Sequence, residues 1–530
     1  MLGLTLFACA AITNAYSWPS PQLDALESAR FDQFGHNSHG IASFIEPCNL
    51  FLFGPNSTGR ANVADWIRTV YHDMATHNAT DGTGGMDASI RFAEEQARTE
   101  DAGNGFGHTI ATLFTQSSRY ISIADVLALG AVIAIENCGG PEIAFRGGRV
   151  DAVASNNPGV PEPQQDLESH IASFARQGFS QVEMIGLVAC GHTFGGVQHT
   201  FFPDIVPELN DPYSTEDVAH FDSTFVTFDN NIATEYICGT TTNPLVVGFN
   251  DTTNSDKRIF ESDGNVTMLS FANSPGLFAS TCADLFARML NTVPAGVKLT
   301  EIIRPLLVKP FNVQLILSGN TLKFSGEVRF WDTTEDPTRT VRLLWEDHVG
   351  RIHNGTLGFS GVSTSTAGRY SAAWYSFNTN EQNPFLSIDA AAGIKSIRFT
   401  VNGKLEDQGG IGFAVQDGVV FSKTSCTASA DADADPGHFD VAVRNGVHPT
   451  RVYLEQKSLD SVQRPIIIEI DIAPPVKPPP ANAVYSIWRL PLNGSVLNAF
   501  LPYTIGAEID GVKYSTNDEH MVIDFPPCKG

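Results

Sequence analysis

Arg68 and His72 stand four residues apart in the segment WIRTVYHD. On a helix, that spacing puts a guanidinium and an imidazole on one face. The imidazole can take up and return a proton, and the guanidinium can stabilise a developing negative charge. Taken alone, such a pair is more often the polar stripe of an amphipathic helix, so its neighbours decide the reading. Asp73 follows His72 directly, and GGMDAS then brings Gly85, Asp87 and Ser89. Carboxylates and hydroxyls alternating with backbone carbonyls suit Ca²⁺, which takes six to eight oxygen ligands. A residue next to His72 on a helix points away from the His72 face. One helix can therefore present a base on one side and anchor a metal on the other. Further along, the Asn104 amide could accept a hydrogen bond from His72 Nδ1, leaving Nε2 free to take a proton. A second histidine, His192, closes the apolar run LVACGHTFGG near the last turn of a helix. A lone histidine there is more often structural.

The pattern R-x-x-x-H-D followed by G-x-D-x-S, with SIRFAEE and GGPEIAFRGGRVDA, resembles the distal region of the plant and fungal haem peroxidases. The resemblance covers roughly residues 40–305. It implies that His72 takes a proton from hydrogen peroxide and returns it to the leaving oxygen, while Arg68 stabilises the charge as the O–O bond breaks. It further implies a distal calcium held by Asp73, Gly85, Asp87 and Ser89. His192 becomes the axial ligand of haem b (iron protoporphyrin IX), with Asp263, in FESDGNV, as the carboxylate on its other nitrogen. HFDSTFVTFDNN resembles the family's proximal calcium segment, with Thr193, Asp222, Thr224, Thr227 and Asp229 as ligands. Phe221 stands where intracellular members carry Trp, which points to a secreted, fungal class II-like type. The implied activity is reduction of hydrogen peroxide through a ferryl intermediate and oxidation of small phenolic or similar donors at the haem edge. Tyr71 departs from the family's Phe or Trp, and a phenol there could itself be oxidised or alter peroxide access. The positions of the family's Mn²⁺ carboxylates are Ala61, Asp65 and Gln198, and the position of its surface Trp is Leu187. Both specialisations are therefore expected to be missing.

Four segments carry apolar residues at helical spacing and must position these groups: ANVADWIRTVYHDM, ISIADVLALGAVIAIEN, SQVEMIGLVACGHTF and GLFASTCADLFARMLNTV. After about residue 308 the texture changes to short β-branched and aromatic runs bounded by Gly, Asn, Asp or Pro. The expected fold class is a mainly α haem peroxidase domain, residues 17–307, followed by an all-β, β-sandwich-like region, residues 308–530. That region holds one or two units, and APPVKPPPAN (473–482) is either a linker or a long loop. Trp331, Trp345, Trp374 and Trp488 either fill a sandwich core, as aromatics usually do, or form a carbohydrate-binding face.

The 530 residues carry 58 acidic against 33 basic side chains, a net charge of −25, which disfavours nucleic acid and anionic membranes as partners. Residues 1–16 read as a signal peptide cleaved near Ala15, and no apolar run is long enough to span a membrane. A secreted, extracellular protein is expected, with N-glycosylation sequons at Asn56, Asn78, Asn250, Asn265, Asn354 and Asn493. Seven cysteines remain after the leader, an odd number that leaves one thiol free. Cys190, in an apolar helical run, is the expected free thiol. The family resemblance implies Cys48–Cys138, and Cys238–Cys282 and Cys426–Cys528 are the remaining suggested pairs. Two other readings compete with a peroxidase. One is a degenerate scaffold whose β region mediates cell-wall or carbohydrate binding. The other is a catalase-like protein, which is the weaker of the two because catalase-active relatives use a distal Trp.

Overall fold

In a computed structural model of the chain, the described residues are 12–14, 20–333, 335–377, 386–428, 436–493, 497–516 and 518–528. Most of the expected leader lies outside them. The part inside, Ile12–Asn14, runs as a short parallel strand beside Lys513–Ser515.

Helices dominate from Pro21 to Leu290, and strands dominate from Val308 onward. Helix Ile123–Asn137 runs through the middle of the helical part, and all its residues from Ile123 to Glu136 are buried. Its sequence is apolar on every side, as a helix surrounded by others requires. Ser122 caps its start by accepting from the Asp125 N–H. Helix Gln181–Gly191 begins with a capping box in which Ser180 and Glu183 satisfy each other's backbone N–H, a device worth about 1 kcal/mol. Helix Asn62–Ala75 packs against helices Gly105–Leu113 and Ile123–Asn137.

Among the described residues, the β region forms three sheets. The largest has ten strands, and its main path includes Gly437–Arg444, Val419–Ser422, Val308–Ser318, Thr321–Trp331, Ser371–Ser376 and Gly358–Thr364. A five-stranded sheet built on Ser396–Val401 and Val341–Glu346 covers one part of it. A six-stranded sheet built on Arg451–Leu459 and Pro502–Ile509 covers another. The result is two sandwich cores that share one long sheet. The proline-rich segment 473–482 is the loop that carries the chain from the six-stranded sheet back to the ten-stranded one at Tyr485–Pro491. Trp345 is buried in the first sandwich core and Trp488 is half-buried against the second, whereas Trp331 is buried in the core of the helical half and Trp374 is buried beside His36 and Phe311, so the sandwich-core reading holds for two of the four.

The two halves are joined through buried charge. Lys309 and Arg329, on adjacent strands of the long sheet, are fully buried against helix Pro21–Phe31. Lys309 pairs with Glu27 at 3.1 Å, and Arg329 pairs with Glu27 and Asp32. The Trp331 indole N–H also donates to Glu27, at 3.1 Å. Burial pushes the Asp32 carboxyl up to about 6, against the pull of Arg329.

The disulfides are Cys48–Cys138, Cys190–Cys282 and Cys426–Cys528. The first and third agree with expectation, and the second corrects it. Cys190 is not free, because helix Gln181–Gly191 packs directly on helix Pro275–Leu290 and brings it to Cys282. Among the described residues, Cys238, the expected partner of Cys282, is the free and exposed thiol. No helix among the described residues is long and apolar enough to cross a membrane.

Candidate active site

A cavity of 630 Å³ opens between helix Asn62–Ala75 and helix Gln181–Gly191, within the size range of cofactor pockets. Arg68, Tyr71 and His72 line it from the first helix, and Leu187, Val188 and Gly191 from the second, followed by His192.

On the distal side, Arg68 and His72 share one helical face, as their spacing requires. His72 is buried, and its Nδ1–H donates to Asp101 Oδ1 at 2.6 Å. This corrects the assignment of Asn104. That amide lies one turn of loop away, where its oxygen accepts from Arg60 at 2.7 Å. Burial, and then the nearby Arg68 charge, lower the His72 pKa to about 4. The imidazole is therefore neutral at ordinary pH, and Nε2 can accept a proton. Burial lowers Arg68 only to about 10, so it keeps its charge. Its Nη2 donates to Ala102 O at 2.9 Å, and its guanidinium lies 4.4 Å over the Phe106 ring. Tyr71 stacks on Phe174, with its buried hydroxyl toward Gln177, and burial holds the phenol well above its usual pKa.

On the proximal side, His192 caps the end of its helix and its N–H donates to Val188 O. The side chain is 29% exposed, on the cavity. Its Nδ1 donates to Asp256 Oδ2 at 2.8 Å, and the Asn243 amide donates to the same oxygen, also at 2.8 Å. Asp263, the carboxylate expected there, lies in a turn and is instead held by the start of the helix that follows, Val266–Asn273. It accepts from the Val266 and Thr267 N–H groups and from the Thr267 hydroxyl. Both aspartates sit near helix starts about two turns apart, and only packing tells them apart. Phe221 lies flat on the His192 ring, with centroids 4.0 Å apart.

The two oxygen clusters also assemble. Asp73 accepts from the Asp87, Ala88 and Ile90 N–H groups. Ser89 donates to Glu95 at 3.1 Å, and the Asn156 amide reaches Asp87, Ser89 and Thr76. Gly85 joins through its N–H to the Thr76 hydroxyl. At Gly85, φ is +112° and a Cβ would meet Thr292 O at 2.8 Å, so only glycine fits. Burial raises the Asp73 and Asp87 carboxyls, and it raises Glu95 to about 7. Burial of three acids this close together raises the cost of charging all of them at once. Glu95 and Asn156 were not expected from sequence. On the other side, Thr193 donates to Asp229 O at 2.9 Å, and the Thr224 hydroxyl donates to Asp229 Oδ1 at 3.1 Å. Asp222 Oδ2 is buried without a hydrogen-bond partner, and burial pushes that carboxyl up to about 7. Thr227 has an exposed side chain and adds only its N–H, to Thr224 O.

At the cavity mouth, Arg60 pairs with Asp65 at 2.8 Å and with Glu216 at 3.5 Å, and Gln198 donates to Glu216 at 2.7 Å. Of the three positions expected to matter for Mn²⁺, Asp65 is engaged by a guanidinium, Gln198 is neutral and Ala61 offers no ligand. Leu187 is buried, so its position could not present a surface aromatic.

Residues 55–270 match the peroxidase family model. A WSC domain-containing protein of Arthroderma benhamiae is 37% identical over 404 residues, 75% of this chain and 54% of that protein. Peroxisomal L-ascorbate peroxidase 5 of Arabidopsis thaliana is 33% identical over 129 residues, 24% of this chain and 46% of the relative. Mitochondrial cytochrome c peroxidase of Candida albicans is 31% identical over 134 residues, 24% and 36% of the two chains. The chain thus spans about half or less of each of these relatives. With the two histidines facing one cavity, residues 55–270 form a peroxidase domain of the plant and fungal haem peroxidase superfamily.

Proposed function

We propose that the protein is a haem- and calcium-dependent peroxidase that reduces hydrogen peroxide and oxidises small phenolic or similar donors. The observation that carries this reading is one cavity in which two of the lining histidines, His72 and His192, each have Nδ1 tied to a carboxylate. His192 would hold the haem iron through Nε2, while Asp256 fixes the ring and raises its donor strength. When bound, haem supplies the redox chemistry. The side chains of the chain supply the rest. His72 Nε2 takes the proton from peroxide and returns it to the departing oxygen. Arg68 meets the negative charge that develops on that oxygen. Asp101 keeps the proton of His72 on Nδ1, so that Nε2 remains the acceptor.

The donor sets at Asp73, Asp87, Ser89 and Glu95, and at Thr193, Asp222, Thr224 and Asp229, suit one Ca²⁺ each. The pairing of Asp65 with Arg60, which removes a Mn²⁺ ligand, and the buried Leu187 favour direct oxidation of small donors at the haem edge. The expected leader and the sequons support secretion and glycosylation. A degenerate scaffold is disfavoured by the intact set Arg68, His72, His192 and Asp256. A polysaccharide contact through the β region would have to use side chains other than the core tryptophans.

The test is the visible spectrum of the purified protein before and after one equivalent of hydrogen peroxide. A Soret band that shifts and then returns on adding a phenol supports the reading. No Soret band after reconstitution with haemin and calcium overturns it.

A further inference from the structure

The β region touches the helical half at a second place, far along the chain from the buried charges at Glu27. Strands Arg451–Leu459 and Pro465–Asp471 form a hairpin, and Glu455 on it is 3% exposed. Arg119 of the helical half grips Glu455 with both guanidinium arms, at 2.6 and 3.0 Å. Thr504 and Ser515 donate to the same carboxylate from the sheet side. At the hairpin turn, Asp460 accepts from the Val462 and Arg464 N–H groups and pairs with Arg464 Nε at 2.7 Å. From that turn, Arg464 donates to Asp151 O and Val462 O accepts from Arg91, both at 3.4 Å.

These contacts end on the wall of the distal oxygen cluster. Arg91 also donates to Ala88 O and Ala152 O, the Ala152 N–H donates to Asp87 O at 2.8 Å, and the Ala88 N–H donates to Asp73 at 2.8 Å. The Asp151 carboxylate ties the same strand of loop to the start of helix Ile123–Asn137 through Ile123 and Ala124. Asp87, on the loop, and Asp73, at the end of helix Asn62–Ala75 that this loop bonds to, are therefore buttressed from outside by the second β unit. We propose that the hairpin 451–471 is a clamp on the distal calcium loop, with Arg119, Glu455 and Arg464 as positioning residues that slow calcium loss. This rests on the calcium reading above.

The mechanism is that of outer-shell partners, which hold ligands in place without touching the metal. The test uses the haem- and calcium-loaded full chain in an Asp222→Asn background, which leaves the distal cluster as the calcium site. Calcium release into excess chelator is followed with a fluorescent calcium indicator. Arg119→Ala should speed release about tenfold, the low end of such outer-shell effects. Arg464→Ala should speed it by a smaller factor. Lys513→Ala, which removes an ion pair on the same sheet away from the helical half, should leave it unchanged. If Arg119→Ala fails to fold, Arg464→Ala, whose side chain is one-third exposed, still decides the matter. Calcium bound in the background protein but released at the same rate from both arginine variants overturns the clamp alone. No calcium in that protein overturns the distal calcium reading, and the clamp falls with it.

Discussion

The distal and proximal pairs use the same two residue types and give opposite results. His72 with Asp101 is sealed in, with side-chain exposures of 8% and 2%, and sits beside the Arg68 charge. His192 with Asp256 shows its ring to the cavity, and its carboxylate takes a second donor from Asn243. Burial and a neighbouring cation keep the first imidazole neutral and proton-accepting. A carboxylate braced by Asn243 holds the second imidazole in one orientation, facing the cavity. A histidine–aspartate pair has no fixed role: its surroundings assign one.

Exchanging the two histidines for leucine breaks that contrast most severely. His192→Leu should abolish the Soret band together with activity. His72→Leu should keep the Soret band and lower the rate constant for peroxide by ~10²–10⁴, the usual worth of a general base. Equal spectra and equal rates in the two variants would refute the division of roles. Next in size come the carboxylates. Asp101→Ala should slow the peroxide step by roughly ten- to a hundredfold in stopped-flow, because Nδ1 loses its acceptor, with Asp101→Asn much milder because the amide oxygen still accepts. Asp256→Ala should instead alter the haem spectrum and weaken haem retention, the usual consequence of losing an outer-shell partner.

The pH dependence sharpens the comparison further. With His72 near 4, the peroxide rate constant should be flat from neutral pH down to about 5 and fall by half near pH 4. The same shift bears on stability with a definite sign. The folded value lies below the ordinary 6.5, so the contribution is fully present above about 6.5 and is lost as pH falls toward 4. A rate that falls already at pH 6 would mean that burial and Arg68 do not set the imidazole. The smallest effect is expected from chelation, which should lower the melting temperature by several degrees through loss of ligand linkage. No change in melting would remove both calcium sites from the account.

The same contrast separates what was legible in the sequence from what was not. The i, i+4 spacing placed Arg68 and His72 on one face, and apolar periodicity placed the four long helices. Short β-branched runs marked the change of texture near residue 308. These features are local, set by backbone period and by burial of one face. The partners of the histidines were misassigned for a shared reason. Asn104 and Asp263 had suitable chemistry and suitable distance along the chain. Asp101 lies only three residues from one and Asp256 seven from the other. A carboxylate near a helix start can cap its own backbone or reach a distant ring, and sequence does not distinguish the two. The cysteines failed in the same way, since the pairing of Cys190 with Cys282 needs two helices in contact.

Residue chemistry and spacing determined the helical pairing of Arg68 with His72, the oxygen-rich segments and the change of texture near residue 308, and the resemblance to a known family added the class of domain and the second histidine. Tertiary packing alone decided which carboxylate meets which imidazole, that Arg60 pairs with Asp65 and Glu216, and that the β region grips the helical half through Glu27 and Glu455. The physical reason is one of range. Helical period and side-chain chemistry act over a few residues, whereas hydrogen bonds and ion pairs act through space. They are fixed only when distant segments are brought within about 3 Å of one another.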